Sequence, residues 1–208
     1  AAWKNVYASS TAYLDYVSST AMDATRLNLS ASSTLTLTNS TTDSNTGVIY
    51  KGTERFIHNF SHPTGNTAIP VGQNTFVGLQ AGNFTMGSTG TSVAHGSYNT
   101  GIGYKSLTAN TTGYYNAAIG VNSLYSNTSG GANTANGALS LYNNTSGSNN
   151  IANGIYSLYS NTTGFNNTAN GAYSLYSNTT GYYNIGIGYD AGRYQANGTT
   201  ALQTASSS

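Results

Sequence analysis

The stretch FNNTANGAYSLYSNTTG, residues 165–181, decides the fold, because it is one of six successive copies of a 17-residue unit. Before it stand SYNTGIGYKSLTANTTG (97–113), YYNAAIGVNSLYSNTSG (114–130), GANTANGALSLYNNTSG (131–147) and SNNIANGIYSLYSNTTG (148–164); after it stands YYNIGIGYDAGRYQANG (182–198). Asn recurs at 99, 116, 133, 150, 167 and 184, and Gly at 103, 120, 137, 154, 171 and 188. Leu recurs at 107, 124, 141, 158 and 175, and a second Gly closes each copy. A short fixed period is the mark of one structural unit stacked on itself.

The unit is too short for a helix pair, since helical repeats need about 33 residues or more. Two glycines per copy would also weaken a helix. One turn of a parallel β-solenoid fits instead, with two short strands per copy, near 116–121 and 123–126, and a bend around Gly120. Asn127-Thr128-Ser129-Gly130 has turn chemistry. Stacking in register, about 4.8 Å apart, would align Leu124 between Leu107 and Leu141 as an apolar column. The structural repeat positions are thus Asn116, Gly120, Leu124, Asn133, Gly137, Leu141, Asn150, Gly154, Leu158, Asn167, Gly171 and Leu175. The Asn positions are expected to form side-chain amide ladders between turns.

Outside the array the chain divides by composition. Residues 1–46 are rich in Ser, Thr and Ala and read as a β-rich segment, with Thr34-Leu35-Thr36-Leu37-Thr38 alternating at the strand period; 12–27 also fits a helix, but strand is preferred. Residues 47–72 hold an apolar hairpin, two strands around Lys51-Gly52-Thr53-Glu54, followed by a linker with Pro63 and Pro70. The hairpin is expected to cap the end of the solenoid, because an exposed sheet edge invites association. The array itself spans 73–198, opening on the partial copy Asn74-Thr75-Phe76-Val77-Gly78. A tail, 199–208, reads as a linker or docking segment.

Composition narrows the function classes. The 208 residues include six Lys or Arg and five Asp or Glu, for a net charge of +1, and no charged residue or His lies between Ser106 and Tyr189. Nucleic acid is not an expected partner, since neutralising phosphates takes clustered cations. The chain has no Cys, hence no thiolate nucleophile or disulfide staple. No apolar run reaches the ~18 residues of a membrane span, so membrane insertion is not expected. The titratable candidates for catalysis are His58, His62, His95, Asp15, Asp23, Asp43, Glu54 and Asp190. They form no recognisable acid–base constellation, so no enzyme, no metal and no cofactor are expected. His58-x-x-x-His62 would need a helix to hold a metal, and Pro63 opposes one.

Two features remain as candidate sites. Tyr114, Tyr125, Tyr142, Tyr159 and Tyr176 follow the period loosely and offer a candidate binding face, because Tyr joins an apolar ring to a polar tip; plain aromatic cover of a flat face is the alternative. Asn110, Asn127, Asn144, Asn161 and Asn178 each begin an Asn-x-Ser/Thr sequon and are candidate glycosylation positions along one edge; simple turn residues are the alternative.

At Asn116-Ala117-Ala118-Ile119-Gly120 and Asn99-Thr100-Gly101-Ile102-Gly103 the unit resembles the Asn-x-x-Ile-Gly element of trimeric autotransporter adhesin head repeats. It is also similar to the Asn-Thr-Ala-x-Gly…Leu…Asn-Thr-Thr-Gly arrays of bacterial cell-surface proteins and phage tail-fibre-like proteins. The likeness covers 73–198. It implies a non-enzymatic, homotrimeric parallel β-roll used in attachment, located extracellularly, on a cell or a virion surface. The adhesin heads have a shorter period, and Asn136, Asn153 and Asn170 stand here in place of the Ile. The expected function is a fibrous attachment protein, an adhesin head or tail-fibre-like rod presenting repeated Tyr, Asn and Thr side chains to a cell-surface glycan or protein. The alternative is a structural subunit that polymerises end to end into an extracellular filament. A thin core without disulfides favours self-association in either case. Surface binding by threonine rows, as at Thr36 and Thr38, is a weaker third reading.

Overall fold

A computed structural model describes residues 49–51, 54–60, 66–193 and 203–205. All of these fall within one compact unit, Leu37–Ser208; the β-rich segment expected at 1–46 lies outside the described residues. The described chain is all-β. β1 (Ile49–Lys51) and β2 (Glu54–His58) are followed by β3 (Thr75–Val77), β4 (Thr100–Ile102), β5 (Ala117–Ile119), β6 (Thr134–Asn136) and β7 (Ile151–Asn153). β8 (Thr168–Asn170), β9 (Ile185–Ile187) and β10 (Gln203–Ala205) complete a single sheet whose spatial order is the order of the sequence. β3 to β10 run parallel; from β4 to β9 each step pairs residues 17 apart, as in Ala118↔Ala135↔Ala152↔Ala169. This is a parallel β-solenoid with one copy of the repeat per coil.

Each coil holds one strand, not the two expected. Residues 121–126 form a turn, and the reason lies in the backbone. Gly120, Asn122 and Leu124 have φ of 136°, 55° and 49°, while Val121, Ser123 and Tyr125 do not take positive φ. Alternating the sign of φ carries the chain around a curve. The hydrogen-bond ladder continues through it: Gly120 and Asn122 donate back to Ile102 and Tyr104 of the preceding coil, and Leu124 and Ser126 donate forward to Ser140 and Tyr142. Positive φ is rare for a branched apolar residue such as Leu, yet Leu107, Leu124, Leu141, Leu158 and Leu175 all adopt it, at 48–54°.

The core is two columns wide. The five leucines and Ala118, Ala135, Ala152 and Ala169 are buried. At the start of the stack Phe76 replaces the Ala, and Gly101 in the next coil makes room for it, since a Cβ there would lie 2.8 Å from the Phe76 ring. Phe60, Phe84 and Met86 close this end. The β1–β2 pair, anticipated as a hairpin, lies antiparallel against β3 and so covers the first edge of the parallel sheet. At the other end, Gln203–Ala205, from the tail read as a linker or docking segment, pairs in register with β9. This part of the tail is a strand of the sheet.

Two buried asparagine ladders run beside the apolar columns. In the first, Asn116, Asn133, Asn150, Asn167 and Asn184 each donate backbone N–H and Nδ2 to the Oδ1 of the Asn one coil before, at 2.9–3.2 Å. The second begins at Asn110, and Nδ2 of Asn127, Asn144, Asn161 and Asn178 donates in turn to the Oδ1 of the Asn one coil before, at 2.7–2.8 Å. The closing glycine joins them: Gly130 O accepts from Asn116 Nδ2 at 2.9 Å and from Asn127 Nδ2 at 3.0 Å. It must be glycine, because a Cβ would meet Asn127 Oδ1 at 2.5 Å and Asn144 Nδ2 at 2.8 Å. A buried amide left without partners costs about 1–3 kcal/mol, and burying a leucine contributes about 2 kcal/mol. The polar columns therefore matter to the fold about as much as the apolar ones.

This second ladder overturns the glycosylation expectation. Asn110, Asn127, Asn144, Asn161 and Asn178 are at most 4% exposed. In Asn127, Asn144, Asn161 and Asn178 the amide nitrogen donates both to the ladder and to a glycine carbonyl. A sugar on that nitrogen would break both bonds and find no space in the folded coil.

Candidate functional site

The alternation of φ that turns each leucine inward leaves the next residue on the outside of the coil. That residue is Tyr125, Tyr142, Tyr159 or Tyr176 in four consecutive coils, each half-buried. Their rings stack at centroid separations of 5.1, 5.3 and 5.1 Å and lie within 6–8° of parallel. Offset or edge-on aromatic pairs each contribute about 0.5–1.5 kcal/mol beyond burial, so the ladder also helps hold its coils in register.

A second column flanks the first. Tyr156 and Tyr173 stack at 5.1 Å, and Tyr156 sets its edge against Tyr159 at 5.5 Å. Tyr189 meets Tyr173 edge-on at 6.0 Å. Arg193 closes the face at one end, its guanidinium 4.7 Å from the Tyr173 ring centre and 5.2 Å from that of Tyr176, held by Asp190 at 2.9 Å. At the other end Lys105 lies 5.2 Å from the Tyr104 ring.

Tyr114, grouped by sequence with the other four, does not join them. It stands at a different position of the coil, where it stacks on His95 at 6.1 Å and meets Tyr115 edge-on at 5.5 Å. Its place in the following coil is taken by Gly131, over which its ring lies. Sequence reasoning in turn leaves Tyr173 out of the face and takes Arg193, with Asp190, only as a charge suited to a capping last copy. Both were accessible by counting: Tyr173 follows Tyr156, and Arg193 follows Tyr176, by one 17-residue period.

Burial raises the Tyr159 phenol above the usual tyrosine value, and Tyr176, Tyr142 and Tyr156 add to the effect because phenolates so close would repel. Lys105 is raised mainly by its side-chain hydrogen bond with Tyr104. Tyr159 is accordingly a neutral hydroxyl at ordinary pH, and Lys105 and Arg193 place a cation at each end of the face.

The other candidates lie apart from it. His58 is buried among Phe76 and Phe84, and its Nε2 donates to Ala81 O at 2.7 Å; His62 lies outside the described residues. Glu54 accepts a hydrogen bond from Gln80, and His95 Nδ1 accepts one from Thr91 N–H. Asp15, Asp23 and Asp43 lie outside the described residues. Among the described residues no helix is long and apolar enough to cross a membrane. Comparison with protein-family models, with curated proteins and with solved structures found no match.

Proposed function

We propose that this chain is a non-enzymatic extracellular attachment protein of the adhesin-head or tail-fibre type, acting as a homotrimer on a cell or virion surface. The observation that carries this reading is the tyrosine face: a repeated, uncharged, solvent-facing row mounted on a scaffold that fixes its spacing. Identical weak contacts repeated along one chain, and again across chains, add up through avidity. Self-association is supported by a second surface. Ile102, Tyr104, Ile119 and Val121 project from neighbouring coils with 39–47% of their surface exposed, and clustered exposed apolar groups favour a partner. Light scattering on a sizing column, followed by negative-stain microscopy and glycan-array binding of the same fractions, tests the reading. Discrete trimers that bind glycan or cell surfaces support it; monomers that bind neither sink it.

An end-to-end filament subunit is the second reading. Among the described residues β10 has a strand partner on one side only, and an open edge is a template for another chain. Filaments that lengthen with concentration and vanish when residues 199–208 are removed would favour it.

A further inference from the structure

The hydroxyls of Tyr125, Tyr142, Tyr159 and Tyr176 are surplus to the fold. Within the described residues none of them makes a hydrogen bond, and none is shut away from solvent. The way their rings pack decides what they can recognise. The rings lie nearly parallel at 5.1–5.3 Å, so Tyr142 and Tyr159 have both faces against neighbours, and Arg193 covers the outer face of Tyr176. Tyr142, Tyr159 and Tyr176 therefore turn only ring edges and hydroxyls outward. An aromatic edge carries partial positive charge and the face partial negative charge. A sugar seeking an aromatic face for its C–H groups finds none on Tyr142, Tyr159 or Tyr176, whereas a ligand rich in oxygen finds a straight row of donors and positive edges.

Three properties of a ligand follow. It is neutral along the ladder, because no charged side chain occurs between Ser106 and Tyr189 and the Arg193 that caps it is paired with Asp190. It is rich in hydroxyl and ether oxygens, because it must meet hydroxyls that both donate and accept. It is periodic, with a repeat close to the spacing of the coils, because only then does every ring of the ladder meet an equivalent group. An extended β-linked polysaccharide has all three: its successive sugars advance by nearly one coil each and carry hydroxyls on both edges. A coiled α-linked glucan shares the chemistry but not the pitch.

We propose that the Tyr125–Tyr142–Tyr159–Tyr176 ladder, with Tyr156 and Tyr173 as a ledge beside it, binds an extended neutral β-linked polysaccharide lying along the stacking direction of the coils. This assigns the ligand class of the attachment face and rests on that reading. The full chain is run through native gels containing soluble hydroxyethyl cellulose or dextran, and its affinity for cello-oligosaccharides of increasing length is measured by calorimetry. Retardation by the cellulose derivative and not by dextran is expected, with affinity rising until the oligosaccharide spans the four rings. A doubly substituted chain, Tyr142→Phe with Tyr159→Phe, keeps the ring stack and loses two hydroxyls. It is expected to bind about tenfold more weakly, two neutral hydrogen bonds being at stake, with an unchanged thermal midpoint. Equal retardation by dextran, or undiminished binding by the double variant, overturns the proposal. Binding to other sugars on an array without affinity for β-linked chains also overturns it while leaving attachment standing. A chain that binds no surface and grows into filaments removes attachment as well.

Discussion

The least expected feature at the scale of single residues is a column of leucines in the left-handed region. Leu141 has φ 49° and is fully buried. Its hydrophobic payload is ordinary; its backbone is not. Leu141→Met keeps volume and an unbranched Cβ, and is expected to cost under about 1.5 kcal/mol in urea unfolding. Leu141→Ile keeps volume but places a β-branch at positive φ, and is expected to cost about 3 kcal/mol or more, since backbone strain of about 1–3 kcal/mol adds to repacking. Equal costs for the two would refute the strain argument. The asparagine ladder makes a parallel prediction. Asn150 donates Nδ2 to Gly164 O at 2.8 Å and accepts from Asn167 N and Nδ2, each at 3.0 Å. Asn150→Ala orphans those groups and is expected to lose about 3 kcal/mol. Asn150→Asp is nearly isosteric, but a buried carboxylate cannot donate and costs more. Its folded-state pKa would rise, so the stability of this variant is fully present at low pH and lost as pH rises through that raised value. A variant insensitive to pH between the acid and neutral ranges would contradict the buried-ladder geometry.

At the scale of the element, the unit of this protein is the coil and not the strand. Only three residues per coil pair as strand, yet inter-coil hydrogen bonds continue around the turn, as in Thr128 N to Thr145 O at 2.9 Å. Among the described residues each strand of the array contacts only the strand before it and the strand after it, which gives stacked repeats their nearest-neighbour energetics. Removing residues 148–164, one whole copy, should leave register, ladders and core columns intact and lower the thermal midpoint only slightly. Removing eight residues from the same copy shifts inward positions outward and should abolish cooperative unfolding. Circular dichroism with thermal melting separates the two; similar melts would show that the period is not what holds the coils together.

At the scale of the whole described unit, the tyrosine face couples stability to alkaline pH. Tyr159 is raised above the ordinary tyrosine value of about 10 by burial and by its stacked neighbours. In that range the folded state holds more protons than the unfolded state. The stability tied to this group is therefore complete below pH ~10 and falls as pH climbs through the raised value. Alkaline titration followed by phenolate absorbance, compared between the native chain and Tyr159→Phe, should show the Tyr159 phenol ionising late and together with unfolding. Tyr159→Phe should move the onset of unfolding to higher pH. Ionisation of Tyr159 at the ordinary value with no loss of structure would contradict its burial in a closely stacked ladder.

By itself, the sequence determined the solenoid, its period, the inward leucines and the first asparagine ladder. Each is a consequence of one residue type recurring every 17 positions, and identical residues at a fixed interval can stack only on one another. The tertiary structure alone decided three matters. Asn127 and its equivalents entered a buried ladder because a glycine carbonyl three residues on was placed to receive them; as bare sequence, Asn-Thr-Ser reads equally as an exposed turn. The second strand became a turn because Asn122 and Leu124 take positive φ, a choice enforced by hydrogen bonds to two different coils and invisible in a residue's own propensity. Tyr114 left the tyrosine ladder while Tyr173 and Arg193 came to its side, because a coil position fixes direction and residue type does not. The tyrosine face is thus written in the count of residues around the coil, and it becomes legible once the geometry of one coil is known.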